Sequence, residues 1–313
     1  MKALIIGGAG FVGGYLSERL ISSGNEVHVT CLPNEKTSEN GSIPHILNIL
    51  EKDSVTDLIR TVKPDCIFHL AAQSSVALSW KNPQLTVDVN IKGTLNVLDA
   101  LRESGLEKTR ILLIGSGEEY GYIRKNACPI NEEEPLNPGN IYAATKACQS
   151  MIGSVYARAY GMDIVMIRAF NHIGPAQLPQ FVVADFCKQA SDIEKGLHKP
   201  EIMVGNLSAK RDFTDVRDVV RAYEMLSQKG KSGQIYNIGS GKAIAVEDIL
   251  RLILEKANAE IKVTVDEKRL RPVDVPVIEA DISRIHADVL LQSIHKISKS
   301  HLFTDLTSNN NCI

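Results

Sequence analysis

The chain predicts a doubly wound parallel α/β sheet with a smaller C-terminal α/β lobe, and two observations carry that expectation. Apolar runs of strand length alternate with helix-length amphipathic segments through the first half, the pattern of strand–helix–strand crossovers with helices on both faces of a parallel sheet. At the N-terminus, Ala3 to Ile6 leads into Gly7-Gly8-Ala9-Gly10-Phe11-Val12-Gly13 and then a helical pattern from Phe11 to Ile21. Strand, glycine loop and helix form the unit that cradles a dinucleotide pyrophosphate and opens a Rossmann-type sheet. Gly7 suits the tight turn, Gly10 lets backbone N–H groups approach phosphate, and Gly13 permits close helix–sheet packing. The spacing is G-x-x-G-x-x-G, and glycine-rich turns also occur in chains that bind nothing.

The totals set limits. With 35 basic and 37 acidic residues in 313, net charge −2 and no charge blocks, neither a nucleic-acid stripe nor a membrane surface is expected. No apolar stretch approaches the ~20 residues that span a bilayer, and Met1 to Gly13 begins a strand and loop, so a cytoplasmic location is expected. Cys31, Cys66, Cys128, Cys148, Cys187 and Cys312 show no C-x-x-C pairing and no histidines at ligand spacing. They read as mostly buried free thiols, with no metal site.

After the first helix, Glu26 to Cys31 reads as the second strand. An acid near its end would accept hydrogen bonds from the adenosine ribose of NAD, yet Thr30-Cys31-Leu32-Pro33-Asn34 holds none before Glu35. This favours NADP(H) or mixed use with NAD(H); Lys36 is either a phosphate ligand or a solvated surface lysine. Pro44 to Ile49 reads as a third strand, Asp53 to Val62 as a helix starting at a carboxylate cap, and Asp65 to Leu70 as a buried fourth strand. Beyond the carboxyl end of that strand, the small residues of Leu70-Ala71-Ala72 admit a cofactor. Ser75 faces a substrate or bonds its own turn. Pro83 to Glu103 reads as one long helix with apolar positions Leu85, Val89, Leu95, Leu98 and Leu101. Asn90 within it is a structural pin or part of a polar relay.

Candidate chemistry follows the fifth strand, Arg110 to Ile114, in Gly115-Ser116-Gly117-Glu118-Glu119-Tyr120-Gly121, where a hydroxyl and a carboxylate meet at a strand end. Tyr142-Ala143-Ala144-Thr145-Lys146 opens a helix running to about Tyr160, and the i, i+4 spacing places phenol and ammonium on one face. Lys146 is expected to lower the phenol pKa from about 10 toward neutrality. Tyr142 would then supply a proton while Ser116 bonds the same carbonyl oxygen and a nicotinamide delivers hydride. Further on, Asp163 to Arg168 reads as a sixth strand. Helices near Val182 to Lys195, Val216 to Gln228 and Val246 to Ala257 alternate with short strands near Ile202, Ile235 and Val263.

The glycine loop, Ser116, and Tyr142 with Lys146 resemble the extended short-chain dehydrogenase/reductases that modify nucleotide sugars. Within that group, Gly115 to Gly121, Phe170-Asn171-His172-Ile173-Gly174-Pro175, and Val204-Gly205-Asn206-Leu207 followed by Arg211-Asp212-Phe213-Thr214-Asp215-Val216 look most like GDP-6-deoxy-4-keto-D-mannose reductases, which make GDP-rhamnose. The similarity runs from Met1 to about Arg284. It implies cofactor contacts at Gly7, Gly10, Phe11, Val12, Gly13, Asn48, Ile49, Leu70, Ala71, Ala72, Asn90, Tyr142 and Lys146. It implies substrate contacts at Ser75, Ser116, Glu118, Asn171, Val204, Arg211, Arg271 and Asp274, with the arginines on the diphosphate, and a homodimer. Arg211 paired with Asp212 or Asp215, and Arg271 solvated beside Arg269, are the plain alternatives; His172 reads as packing. The implied division is 1–170 plus about 214–240 for the dinucleotide domain, and 171–213 with 241–313 for the substrate lobe. From His286 to Ile313 the chain departs from the family pattern and ends in a polar tail expected to be mobile.

The leading expectation is NAD(P)H-dependent reduction of the 4-keto group of GDP-4-keto-6-deoxy-D-mannose to GDP-D-rhamnose. A GDP-mannose 4,6-dehydratase is the runner-up: dehydratase relatives place a Glu where Glu118 stands, next to an Asp or Ser, and Gly117 removes that neighbour. A 4-epimerase would show no net redox change. From another class, a non-catalytic dinucleotide-binding protein would typically have lost the Tyr142/Lys146 pair.

Overall fold

The computed structural model describes residues 1–124, 127–270 and 275–289. The first strands and helices are β1 (Lys2–Ile6), α1 (Phe11–Ser22), β2 (Glu26–Cys31), β3 (Ile43–Ile46), α2 (Lys52–Val62), β4 (Cys66–His69), α3 (Val76–Lys81), α4 (Pro83–Val87), α5 (Gly93–Glu103), β5 (Arg110–Ser116), α6 (Ile141–Tyr160) and β6 (Ile164–Ala169). They are followed by β7 (Asn171–Ile173), α7 (Val182–Glu194), β8 (Glu201–Val204), β9 (Lys210–Asp215), α8 (Val216–Lys229), β10 (Ile235–Ile238), β11 (Ala243–Ala245), α9 (Val246–Leu254), β12 (Lys262–Val265), β13 (Val277–Ile278) and α10 (Ser283–Val289).

Seven strands form one all-parallel sheet in the order β10-β6-β5-β4-β1-β2-β3. Strand order reverses between β1 and β4, so the carboxyl ends of these two strands open a crevice where a ligand of a doubly wound sheet binds. Burial on both faces explains why β1 reads as the unbroken run Ala3 to Ile6. One face packs Leu16 and Leu20 of α1 and Val219, Val220 and Tyr223 of α8. The other packs Val55 and Ile59 of α2 and Val97, Leu98 and Leu101 of α5. A smaller lobe is built on β9, which pairs antiparallel with β11 and parallel with β13 and β7, beside the parallel pair β8 and β12. Phe186, Ile202, Phe213 and Ile249 fill its core.

Several elements differ from expectation for identifiable reasons. The third strand ends at Ile46; Leu47 N–H still donates to the Cys31 carbonyl of β2 at 2.9 Å, and the chain then turns through Asn48 to Glu51 into α2. That helix begins at Lys52 after Glu51, whose side chain makes no cap bond, so no carboxylate caps it; Asp53 lies inside the first turn. Pro83 to Glu103 is helical throughout but contains a π-turn, Asp88–Lys92. The extra residue rotates the buried face. Leu85 is therefore exposed and Val89 and Leu95 half-buried, while Val97, Leu98, Ala100 and Leu101 are enclosed. The lobe strands β7, β9, β11 and β13 are too short or too polar for an alternation pattern to show. Ile285 and Val289 of α10 join the α1/α8 core rather than that of the smaller lobe. Among the described cysteines, Cys31, Cys66 and Cys187 are buried and Cys128 and Cys148 half-buried, all free thiols. The expected mobile tail lies outside the described residues, as does Cys312. No described helix is long and apolar enough to cross a membrane.

A Cβ on Gly13 would stand 2.5 Å from the Gly8 carbonyl oxygen, a backbone atom that cannot swing aside. Gly13→Ala is therefore expected to lower stability by ~1–3 kcal/mol in urea unfolding, the usual cost of overpacking.

Candidate active site

The crevice at the strand reversal is lined by backbone rather than side chains. Gly7 has φ +90°, and a Cβ there would meet the Ala71 nitrogen at 2.7 Å. Its N–H donates to Thr30 Oγ1 at 2.9 Å, and the N–H of Gly8 to the Thr30 carbonyl at 2.8 Å, which ties the loop to β2. Gly8 went unassigned in the sequence, yet a Cβ on it would stand 2.6 Å from Val29 Cβ. Gly10 occupies the cap of α1 without a side-chain bond, leaving the first N–H groups of Phe11 and Val12 at the helix start. This cradle, which side chains would fill, fits a dinucleotide pyrophosphate. The N–H groups of Leu70 and Ala71 both donate to the Ile6 carbonyl, so the segment through Ala72 runs alongside it. Asn48 Oδ1 accepts from Leu50 N–H at 3.1 Å, and buried Ile49 lies against Gly93. At the end of β2, the Glu35 carboxylate folds back to accept from Leu32 N–H at 2.9 Å. Lys36 is exposed.

The expected catalytic group converges at the end of β5. Ser116 Oγ accepts from Glu118 N–H at 3.2 Å, and its hydroxyl favours the ionised form of the Tyr142 phenol. Glu118 Oε2 accepts from Asn140 Nδ2 at 3.2 Å, while Asn140 Oδ1 caps α6 by accepting from Ala143 N–H at 2.8 Å. The turn after β5 is thereby tethered to the helix that carries Tyr142 and Lys146. The electrostatics correct one expectation. Lys146 Nζ donates to the Ile114 carbonyl at 2.7 Å and to Gln149 Oε1 at 3.0 Å. Burial pushes the Tyr142 phenol well above its ordinary range, and the charges of Glu118 and Glu119 add to this against the Ser116 bond. Burial also lowers Lys146 to about 8, opposed by Glu119. The phenol is therefore an acid that keeps its proton, not a ready phenolate.

Asn90 resolves as a pin. Fully enclosed in the π-turn, it accepts from Gln73 N–H at 2.8 Å and donates to the Gln73 carbonyl and to Thr145 Oγ1, 2.9 Å away on α6. All its hydrogen-bonding groups hold the Leu70–Ser75 segment and α6 together. Ser75 caps α3, its Oγ accepting from Leu78 N–H at 3.2 Å, the self-bonded alternative.

On the lobe side, Asn171 is exposed in β7. His172 is stacked on Phe11, with ring centroids 6.2 Å apart, and burial lowers its pKa, as a packing role requires. The Val204 side chain is enclosed in the lobe core, which leaves only its backbone for a contact with a ligand. Arg211 is buried and donates to the carbonyls of Lys210 and Val275, both at 2.8 Å. Asp212 is taken by Ser240, Gly241 and Ala280, and Asp215 by Arg217. Arg269 pairs with Asp185 of α7 at 2.5 Å. Arg271 and Asp274 lie outside the described residues. Sequence reasoning passed over Glu119 and Arg168, which form an enclosed ion pair at 3.1 Å. Their signal was there: a lone arginine in the otherwise apolar run Ile164–Ala169 requires a buried counter-charge.

The family model described as GDP-mannose 4,6 dehydratase matches residues 4–290. The GDP-6-deoxy-D-mannose reductase of Pseudomonas aeruginosa is 33% identical over 285 residues, covering 91% of this chain and 90% of that protein. The GDP-mannose 4,6-dehydratase of Yersinia enterocolitica is 33% identical over 278 residues, covering 83% and 73%. The solved structure of RMD from Pseudomonas aeruginosa complexed with NADPH superposes with a TM-score of 0.86 at 30% identity, covering 98% of this chain and 99% of that one. With a backbone cradle for a dinucleotide, a Ser/Tyr/Lys group beside it and this match over nearly the whole chain, the protein belongs to the GDP-mannose 4,6-dehydratase family, extended short-chain dehydrogenase/reductases that modify nucleotide sugars with a nicotinamide dinucleotide.

Proposed function

We propose that this protein reduces the 4-keto group of GDP-4-keto-6-deoxy-D-mannose to give GDP-D-rhamnose. The observation that carries this reading is that the Ser116 hydroxyl, at the end of β5, acts on the Tyr142 phenol, whose helix is tethered to the same turn through Asn140 and Glu118. When bound, the reduced nicotinamide supplies hydride for the carbonyl carbon. Tyr142 remains protonated at neutral pH, so its O–H gives a proton to the carbonyl oxygen as that oxygen becomes an alkoxide. The Ser116 hydroxyl bonds the same oxygen and orients it. The loop from Gly7 to Gly13 would hold the pyrophosphate, with Asn48, Ile49, Leu70, Ala71 and Ala72 along the rest of the dinucleotide. The first acid after β2 is tied to its own turn, which supports use of NADPH. Asn171 and Arg211, with Arg271 and Asp274, are assigned to the nucleotide sugar on the family pattern.

One observation favours a second reading. Glu118 stands half-buried beside Ser116 with its carboxylate toward the start of α6, where a dehydratase acting on GDP-mannose would need a base. Against it, Gly117 offers no neighbouring acid or hydroxyl.

The same helix supports a homodimer. Met151 is 65% exposed and Val155 50%, and with Leu95, Leu136 and Ala147 they line an open apolar groove between α5 and α6. A second copy laying its own α5 and α6 there would cover a surface unlike that of a monomer.

Loss of reduced-nicotinamide absorbance, mole for mole with the GDP keto sugar, tests the reaction. Formation of a keto sugar from GDP-mannose without net redox change would replace it by dehydration. Tyr142→Phe is expected to cut reduction by ~10²–10⁴-fold while dinucleotide binding, read by fluorescence, survives. Lys146 gains charge as pH falls through about 8, so kcat/KM is expected to decline above that pH. Met151→Asp combined with Val155→Asp is expected to yield a monomer by sedimentation velocity.

A further inference from the structure

The carboxylate of Glu119 is enclosed at a junction of three elements. Oε1 accepts from Ser116 N–H at 2.8 Å, at the end of β5. Oε2 accepts from Ser150 Oγ at 2.8 Å, on α6 two turns beyond Tyr142, and from Arg168 Nε at 3.1 Å, on β6. The space it fills exists because residue 115 is glycine: a Cβ there would collide with Oε1 itself. Arg168 is held in turn by the Tyr120 hydroxyl at 3.0 Å and the Glu132 carbonyl at 3.2 Å, with its guanidinium 4.7 Å from the centre of the Tyr120 ring. Tyr120 donates to Asn237 Oδ1 of β10 at 2.7 Å. The carboxylate is therefore fixed from behind by β6 and β10, and fixes Ser116 and α6 in front.

We propose that Glu119, held by Arg168, is a positioning residue of this site: it fixes Ser116 at the end of β5 against the helix that carries Tyr142 and, bonded to Ser150 one turn beyond Lys146, supplies an enclosed negative charge beside that ammonium. It touches neither substrate nor cofactor; it acts through the groups that do. The groups facing Lys146 are the Ile114 carbonyl, Gln149 of its own helix, His69 of β4 and Glu119. His69 is neutral there, its pKa lowered to about 3 by burial and by Lys146 itself. Of these groups, the charge that supports the ammonium is Glu119. Burial holds the Glu119 carboxyl above its ordinary range, and Arg168, Ser116 N–H and the Ser150 hydroxyl offset part of that rise in favour of the carboxylate. The proposal rests on the reductase reading for the role of Ser116, but not for the charge at Lys146.

Glu119→Gln keeps an oxygen within reach of Ser116 N–H and removes the charge. Since it strands Arg168 as a buried cation, Glu119→Gln with Arg168→Gln is made alongside it to preserve a folded, charge-neutral pair. Nitrogen chemical shifts of the Lys146 ammonium, followed against pH in lysine-labelled protein and assigned by their absence in Lys146→Met, need neither cofactor nor substrate. The midpoint is expected to fall by ~0.5 pH unit or more in both variants. An unchanged midpoint overturns the proposal. With the keto sugar, Glu119→Gln is expected to lower kcat ~10–100-fold at unchanged KM, and Ser116→Ala added to it to cost less than about threefold more. A Ser116→Ala loss as large in that background as in the wild type overturns the positioning role. If the wild-type protein reduces no keto sugar, the reductase reading fails and the Lys146 midpoint alone decides.

Discussion

Backbone has to meet backbone where β1 ends, and the rest of the molecule is arranged around that contact. Gly7 lies against Ala71, and Gly13 against Gly8, at distances no side chain would permit. Only then can α1 start close enough to the sheet for its free N–H groups to face the crevice between β1 and β4. The bonds from Leu70 and Ala71 to Ile6, and from Gly7 and Gly8 to Thr30, close this region on both sides. Three strand ends are thus locked before any catalytic side chain is placed.

The proposed chemistry is then suspended from α6. A long helix over a sheet can slide or rotate unless polar pins fix it, because apolar contacts carry little direction. Here three pins are spread along the first half of the helix. Asn140 caps it and holds Glu118; Thr145 meets Asn90; Ser150 meets Glu119. Each is a buried or half-buried polar group whose unmet hydrogen bonds would cost about 1–3 kcal/mol, so the satisfied arrangement excludes its neighbours. The π-turn is part of this scheme, since it brings Asn90 inward between Gln73 and Thr145 at the expense of regular helix geometry.

The candidate site was legible where its logic is local. The glycine loop, the helix that carries Tyr142 and Lys146, and Ser116 at a strand end each follow from short-range spacing, and the turn after Ser116 is tethered to that helix. Residues whose logic is long-range were invisible or misread. Glu119 looks like a second acid in a turn, yet it is the partner of Arg168, 49 positions away. Val204 sits in a motif but faces the core. Lys146 has the right spacing to polarise Tyr142, yet its ammonium is drawn to the Ile114 carbonyl on β5.

From the sequence alone came the fold class, the first helix and second strand, and the glycine loop between them and the sheet, since hydrophobic period and glycine placement are properties of a few consecutive residues. Tertiary structure decided which buried charge faces which, where the helix phase slips, which arginine is engaged by backbone carbonyls, and in which direction the phenol titrates. Those properties depend on desolvation and on partners brought together from distant strands, and no local spacing encodes either.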